Sequence, residues 1–225
     1  MSDKFDLPEF RDQALFQQAM THRSYVNEFP EVKQHNERLE FLGDAVLNFL
    51  SGEFLYKRYD NKPEGELTPL RSALVDEKQL AQFAVYLELA QHLKLGRGAE
   101  KEGGRQNPNL LSSAFEALIG AYFLDVDSDI NRVRTYVEPL FAGVVDTLAS
   151  TASTNFKSRF QVWALAHYRE NPQYVITGHA GPDHAREFTA AVYVAGQKYG
   201  NGRGRRKQDA EKDAARDALQ GLGLL

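Results

Sequence analysis

Apolar residues recur at helical spacing through Leu39–Leu55, Leu80–Leu89 and Leu110–Leu124, with no long alternating stretch, so the first two-thirds of the chain is expected to be all-helical. After about residue 155 the pattern changes. Phe160–Tyr168 is helix-like, whereas Tyr174-Val175-Ile176 and the alternating Phe188, Ala190, Val192 and Val194 read as strands. Lys198-Tyr199 marks a further short strand, and Ala210–Leu222 returns to helical character. The second unit therefore has the order αβββα. Between the two lies Ala149-Ser150-Thr151-Ala152-Ser153-Thr154-Asn155, which has no charge and no large apolar side chain to anchor a core. These boundaries give an all-α domain over residues 1–148, a flexible linker over 149–155 and an α+β domain over 156–225. No internal repeat is visible.

The chain has 225 residues, 42% of them apolar, enough for a good-sized core plus a small satellite. It has no cysteine, which excludes disulfides, thiolate metal sites and cysteine nucleophiles and is what a reducing compartment permits, so the expected location is the cytoplasm. Met1-Ser2-Asp3-Lys4-Phe5-Asp6 lacks the apolar core of a signal peptide, and no run of about 18 apolar residues offers a membrane span. Net charge is −4, but it is unevenly spread: residues 155–225 hold 11 Lys/Arg against 7 Asp/Glu, leaving 16 against 24 in the rest. A basic small unit joined to an acidic larger one fits a polyanion partner for the first and bound cations for the second.

The acidic unit concentrates its charge on one helix. Asn36 reads as an N-cap, and Glu37, Glu40 and Asp44 follow at i, i+3 and i+7, on one side and about a turn apart. A solvated acidic face is the plain alternative. Against it, Asp44 stands among Phe41, Leu42, Ala45, Val46 and Leu47, a surface expected to be withdrawn from water, where unpaired carboxylates call for a cation. A second helix begins at Asn107-Pro108, and Glu116 is the lone acid in its apolar run; protonation or an arginine partner is the alternative there. Oxygen ligands without histidine or cysteine select hard ions, magnesium or else manganese, and such ions serve phosphodiester hydrolysis without a nucleophilic side chain. Gly43, inside the first helix, costs about 1 kcal/mol relative to alanine and points to a close approach by another helix or a ligand.

Asn36-Glu37-Arg38-Leu39-Glu40-Phe41-Leu42-Gly43-Asp44 resembles the signature of the ribonuclease III family. Thr21-His22-Arg23-Ser24, Glu64-Gly65, Leu70-Arg71-Ser72-Ala73-Leu74-Val75 and Phe115-Glu116-Ala117-Leu118-Ile119-Gly120 are similar to further family motifs, so the resemblance spans essentially the whole chain. It implies a metal-dependent endonuclease for double-stranded RNA that leaves 5′ phosphate and 3′ hydroxyl ends and takes part in ribosomal-RNA and messenger-RNA processing. It also implies Glu40, Asp44 and Glu116 as metal ligands, catalytic parts for Asp44, Glu116, Glu37 and Glu64, and Phe41 packing across a homodimer. An ordinary core phenylalanine is the alternative for Phe41. The chain departs from the family at Ser113, where aspartate is usual. A hydroxyl there touches a metal through water at most, so the two readings are an active enzyme with a modified metal shell and an RNA-binding regulator with weakened cleavage.

In the basic unit, Gly202-Arg203-Gly204-Arg205-Arg206-Lys207-Gln208 leads into an alanine-rich helix, placing cations at a helix N-terminus that itself attracts phosphate. Solvated surface is the alternative. With Phe156-Lys157-Ser158, Gln161 and Gly181-Pro182-Asp183-His184, the turn resembles the three contact regions of a double-stranded-RNA-binding domain. That likeness implies RNA contacts by Ser158, Gln161, His184, Arg203, Arg205, Arg206 and Lys207, reading A-form shape rather than sequence. Val162 and Gln208 replace polar or basic residues usual in such domains, which lowers the expected affinity. Trp163 and Tyr168 are expected in the core, because duplex RNA hides its bases.

Overall fold

A computed structural model describes residues 5–153, 155–182 and 186–224. The elements of the first part are α1 (Gln13–Ala19), α2 (Arg23–Glu28), α3 (Glu37–Arg58), α4 (Glu64–Leu74), α5 (Glu77–Tyr86), α6 (Arg97–Lys101), α7 (Pro108–Asp125) and α8 (Ile130–Ser153), with 3-10 turns at Leu89–Gln91 and Gly104–Gln106. The second part contains α9 (Phe156–Tyr168), β1 (Gln173–Ala180), β2 (Glu187–Val194), β3 (Gln197–Gly204) and α10 (Lys207–Gly221). Two compact units divide between Ala149 and Ser150. No helix among the described residues is long and apolar enough to cross a membrane.

Helix α7 is the axis of the first unit. Asn107 caps it by accepting from the Asn109 N–H at 2.9 Å, and Pro108 fills the first helical position, where no N–H is needed. Leu111, Ala114, Phe115, Ala117, Leu118, Ile119 and Ala121 are all buried, so the helix is apolar on nearly every face and must be surrounded. Helices α3, α5 and α1 do this, with Phe83 packing its ring on Phe115 at 5.5 Å. Leu47, Leu50 and Leu55 bury the inner face of α3, and Val133, Val137, Phe141 and Val145 that of α8.

Helices α3 and α7 meet backbone to backbone. A Cβ on Gly43 would lie 1.8 Å from the Glu116 carbonyl oxygen, and one on Gly120 would lie 2.1 Å from that of Leu39. The predicted close approach at Gly43 is therefore another helix, and it needs a glycine on each side. Asn36 stands at the predicted N-cap of α3, but its side chain makes no cap hydrogen bond. It is buried instead, and its N–H donates to the Thr21 carbonyl at 2.9 Å. The expected linker is also modified, because α8 continues to Ser153. The small residues there include no glycine or proline to stop a helix.

The second unit has the expected αβββα order, with an antiparallel sheet β1-β2-β3. Phe160 and Ala164 of α9, Ala190, Val192 and Val194 of β2, and Ala210, Ala214, Ala218 and Leu219 of α10 form its core. The third strand is longer than the Lys198-Tyr199 pair predicts: it takes Gly202, Arg203 and Gly204 of the supposed basic turn, and α10 takes Lys207 and Gln208, which leaves Arg205 and Arg206 between them. Gly200, Gly202 and Gly204 alternate toward α10, where a Cβ on Gly202 would lie 2.1 Å from the Ala214 nitrogen. On the outer edge of β3, the N–H groups of Asn201 and Arg203 donate to the carboxylates of Asp217 and Asp213 at 2.9 and 3.0 Å. Trp163 packs partly buried against the core as expected, but Tyr168 is 39% exposed and sits at its rim, its hydroxyl meeting that of Tyr199.

The glycine contact separates two kinds of helical glycine. Gly43→Ala is expected to destabilise by about 2 kcal/mol despite its gain in helix propensity, because a methyl must force two backbones apart. Gly143→Ala on α8, where a Cβ would meet nothing within 4 Å, is expected to stabilise by about 0.5–1 kcal/mol. Thermal melts of the two variants, compared with the parent, check both signs.

Candidate active site and nucleic-acid interface

Because the two glycines let α3 and α7 touch, side chains one turn away on each helix share a pocket. Its lining includes Glu37, Glu40 and Asp44 from α3, Asn109, Ser113 and Glu116 from α7, and His22, Arg23 and Asn36 from the preceding segment. The spacing in sequence thus brings the acids of two distant segments together.

Each carboxylate has a distinct environment. Glu40 is partly buried and accepts a hydrogen bond from the Ser113 hydroxyl at 3.0 Å. Asp44 accepts from the Asn48 side-chain amide at 2.8 Å. It is exposed rather than withdrawn from water: Val46 and Leu47 turn inward to the core, while Phe41, on the same face, is itself exposed. Glu37 is exposed too, and Arg23 of α2 reaches it at 3.4 Å, a cation from another element that a search of one helical stripe does not find. Glu116 is half-buried. Desolvation first, then the charges of Glu40 and Asp44, push its carboxyl up to about 7. Among the described residues, neither Glu40, Asp44 nor Glu116 has an ion pair. The arginine partner that would have made Glu116 a structural residue is therefore not seen. His22 caps α2 by accepting from the Ser24 N–H, and burial, followed by the charge of Arg23, lowers its pKa.

No three His, Asp or Glu side chains among the described residues converge into a ready-made coordination cage. The donor set nevertheless fits a hard divalent ion. Magnesium keeps most of its waters and needs only one or two direct carboxylates, and here unpaired oxygen donors line one negatively charged pocket.

One predicted site residue lies elsewhere, and another, Phe41, stands on the wall of this pocket. Glu64, at the first turn of α4, is exposed, accepts from the Thr68 hydroxyl at 2.6 Å and is not part of this pocket within one chain. Phe41 is 80% exposed, which removes the core alternative. It stands beside an apolar hollow lined by Leu15, Leu39, Leu42 and Leu124, and on the same helix Phe49 and Tyr56 are exposed as well. The signal that found the acidic pocket also held Asn48, four residues beyond Asp44 and so one turn away, which the sequence reading passed over.

On the second unit Ser158, Gln161, Arg203, Arg205, Arg206 and Lys207 are all exposed. Gln161 donates to the Asn171 side chain at 2.9 Å, and Val162, between these polar groups, is 54% exposed. His184 lies outside the described residues.

Residues 12–137 match the Ribonuclease-III-like family model, and residues 156–222 match that of the Double-stranded RNA binding motif. Among curated relatives, Ribonuclease 3 1 of a Nostoc species is 53% identical over 97% of this chain and 96% of its own length. Ribonuclease 3 of a Roseiflexus species is 43% identical over 95% and 91%. Among solved structures, a nuclease domain of ribonuclease III from Campylobacter jejuni is 39% identical with TM-score 0.54, covering 59% of this chain and 87% of that one. Dicer from Pichia stipitis is 25% identical with TM-score 0.53, covering 97% and 98%. A helical unit with paired acidic helices, followed by an αβββα unit, thus matches known proteins along almost its whole length, and the chain belongs to the ribonuclease III family of endoribonucleases.

Proposed function

We propose that this endoribonuclease hydrolyses phosphodiester bonds of double-stranded RNA at the pocket between α3 and α7, with Glu40, Asp44 and Glu116 holding magnesium, or manganese in its place. The observation that carries this reading is the set of unpaired carboxylates, with Glu116 driven up to about 7 by burial and by its acidic neighbours. A divalent ion at such a site neutralises phosphate charge and makes water nucleophilic near neutral pH. The side chains orient the rest. Asn48 fixes Asp44, and Ser113 fixes one oxygen of Glu40 while adding no charge of its own. Cleavage leaves 5′ phosphate and 3′ hydroxyl ends, and the work is processing of ribosomal and messenger RNA in the cytoplasm.

The working form is a homodimer, so that two pockets address the two strands. Support comes from three exposed aromatic residues on α3, Phe41, Phe49 and Tyr56, and from the relative in Campylobacter jejuni, whose nuclease domain has a region involved in dimer formation. In that assembly Glu64, remote from the pocket of its own chain, serves a cleft that the second copy completes. Ser158, Gln161, His184 and the cations from Arg203 to Lys207 hold the duplex through its backbone shape. No observation favours a non-cleaving regulator, since Ser113 leaves the three carboxylates in place and supports one of them.

Three outcomes are expected. Between its unfolded value of 4.5 and about 7, folded Glu116 keeps a proton that the unfolded chain has released, so the metal-free protein loses stability as pH rises through that window. Glu116→Gln should flatten this fall in melting temperature and abolish cleavage by at least about a hundredfold while duplex binding persists; a retained pH slope would contradict the assignment. Phe41→Ala should shift the protein toward monomer in analytical ultracentrifugation and reduce cleavage in step. Ser113→Asp should lower the magnesium concentration needed for half-maximal cleavage about tenfold and lower the metal-free melting temperature, since it adds a fourth charge to an uncompensated cluster. A magnesium titration that superimposes on the parent would remove this account of Ser113.

A further inference from the structure

The sequence presents Arg203, Arg205, Arg206 and Lys207 as a uniform cluster awaiting phosphate, but the structure distinguishes one of them. Arg206 occupies the N-cap position of α10, where a hydroxyl or carboxylate side chain is usual, and it makes no side-chain cap. Its guanidinium instead turns onto the helix and forks onto Asp209, with Nε donating to Oδ2 at 2.9 Å and the terminal nitrogen to Oδ1 at 3.0 Å. Two parallel bonds to a carboxylate are the geometry that arginine otherwise offers to a phosphate. No such partner is seen for the side chains of Arg203, Arg205 or Lys207 among the described residues. The other acids of the helix have other partners: Glu211 pairs with Lys157, Asp213 with Arg216 and the Arg203 backbone N–H, and Asp217 accepts from the Asn201 N–H, so among the described residues none of them holds a side chain of the basic cluster. The Arg206 guanidinium holds the Asp209 carboxyl below its usual range, so this acid stays charged wherever RNA would bind.

Resting on the reading of this unit as a binder of duplex RNA, we propose that Asp209 is an affinity-setting residue that occupies Arg206 in place of a phosphate, so that the RNA backbone must displace a carboxylate to recruit that arginine. The arginine side chain is 78% exposed and the aspartate 40%, so the pair is screened and readily exchanged. It therefore tunes binding and does not block it. The consequence is a unit that engages RNA with fewer cations than its sequence displays, through an internal competitor rather than a missing lysine alone.

The test is equilibrium binding of the full chain to a labelled RNA duplex without divalent ions, over a range of salt concentrations. Variants are Asp209→Asn, Asp209→Gln, Arg206→Gln and the double variants. Glutamine at this third helical position can still cap the helix backbone, so it separates charge from folding. Either neutral substitution should tighten binding about three- to tenfold and steepen the log–log salt dependence by about one unit, the signature of one more phosphate contact. Arg206→Gln alone should weaken binding less than twofold, and in its background the neutral substitutions should lose most of their gain. Unchanged or weaker binding by both neutral variants overturns the proposal, as does an equal gain without Arg206, which would make Asp209 a repelling charge only. Failure of the unaltered chain to bind duplex overturns the RNA-binding reading and this proposal with it.

Discussion

Helices α3 and α7 can carry one site between them only because nothing larger than hydrogen separates them at Gly43 and Gly120. Interaxial spacing depends on the side chains at the contact, and a glycine pair sets it near the minimum. Around that point the buried residues of α7 are small or aliphatic apart from Phe115, Ser112 and, at the far end, Asp125, so the contact extends into an apolar seam. The acids sit at the edge of this seam, Glu40 and Glu116 one turn before Gly43 and Gly120, and Asp44 directly after Gly43. A pocket assembled from residues far apart in the chain is thereby fixed by backbone packing, which does not relax when charge is added or removed.

That rigidity has an electrostatic consequence. Carboxylates held together without cations repel, and the least solvated one takes up the strain by holding its proton, which is the state of Glu116. Glu40 and Asp44 each accept one hydrogen bond, from Ser113 and Asn48. Ser113 is then not simply a lost ligand. An aspartate there would add to the repulsion, whereas the hydroxyl donates to an acid it would otherwise oppose. The native state is stabilised at the expense of negative potential available to an ion.

Much of this was legible in the residue pattern. The i, i+3, i+7 acids, the Asn107-Pro108 start of α7 and the lone Glu116 are local features, and helical geometry converts each into a direction. What was not legible depends on partners distant in sequence. Gly43 advertised a close neighbour, but nothing near it in the chain names Gly120. Asn36 has the identity of a cap, yet tertiary burial uses it otherwise, and of the apolar residues around Asp44, Val46 and Leu47 turn into the core while Phe41 is left in solvent. Glu64 and Phe41 read as site residues only by resemblance, and one chain leaves the first outside the pocket and the second on its wall with its ring in solvent. The glycines of β3 looked like a turn because glycine has low strand propensity. Their alternation, period two, was the better guide, and it pairs with the alanines of α10 at a period set by the helix.

The same logic of close approach governs the second unit. Small residues on β3 and α10 bring helix and strand nearly into backbone contact, which leaves α10 no room on its inner face for charged side chains. Its acids are consequently crowded onto the flanks, where Asp213 and Asp217 satisfy the outer N–H groups of an edge strand that would otherwise offer itself for pairing. Protecting that edge places negative charge within reach of the cations that follow it. Asp209 continues the acidic flank to the start of the helix, where the positive end of the helix dipole favours it. Attraction to a polyanion and protection of a sheet edge thus draw on one helix surface, and the fork between Arg206 and Asp209 is where the two requirements meet.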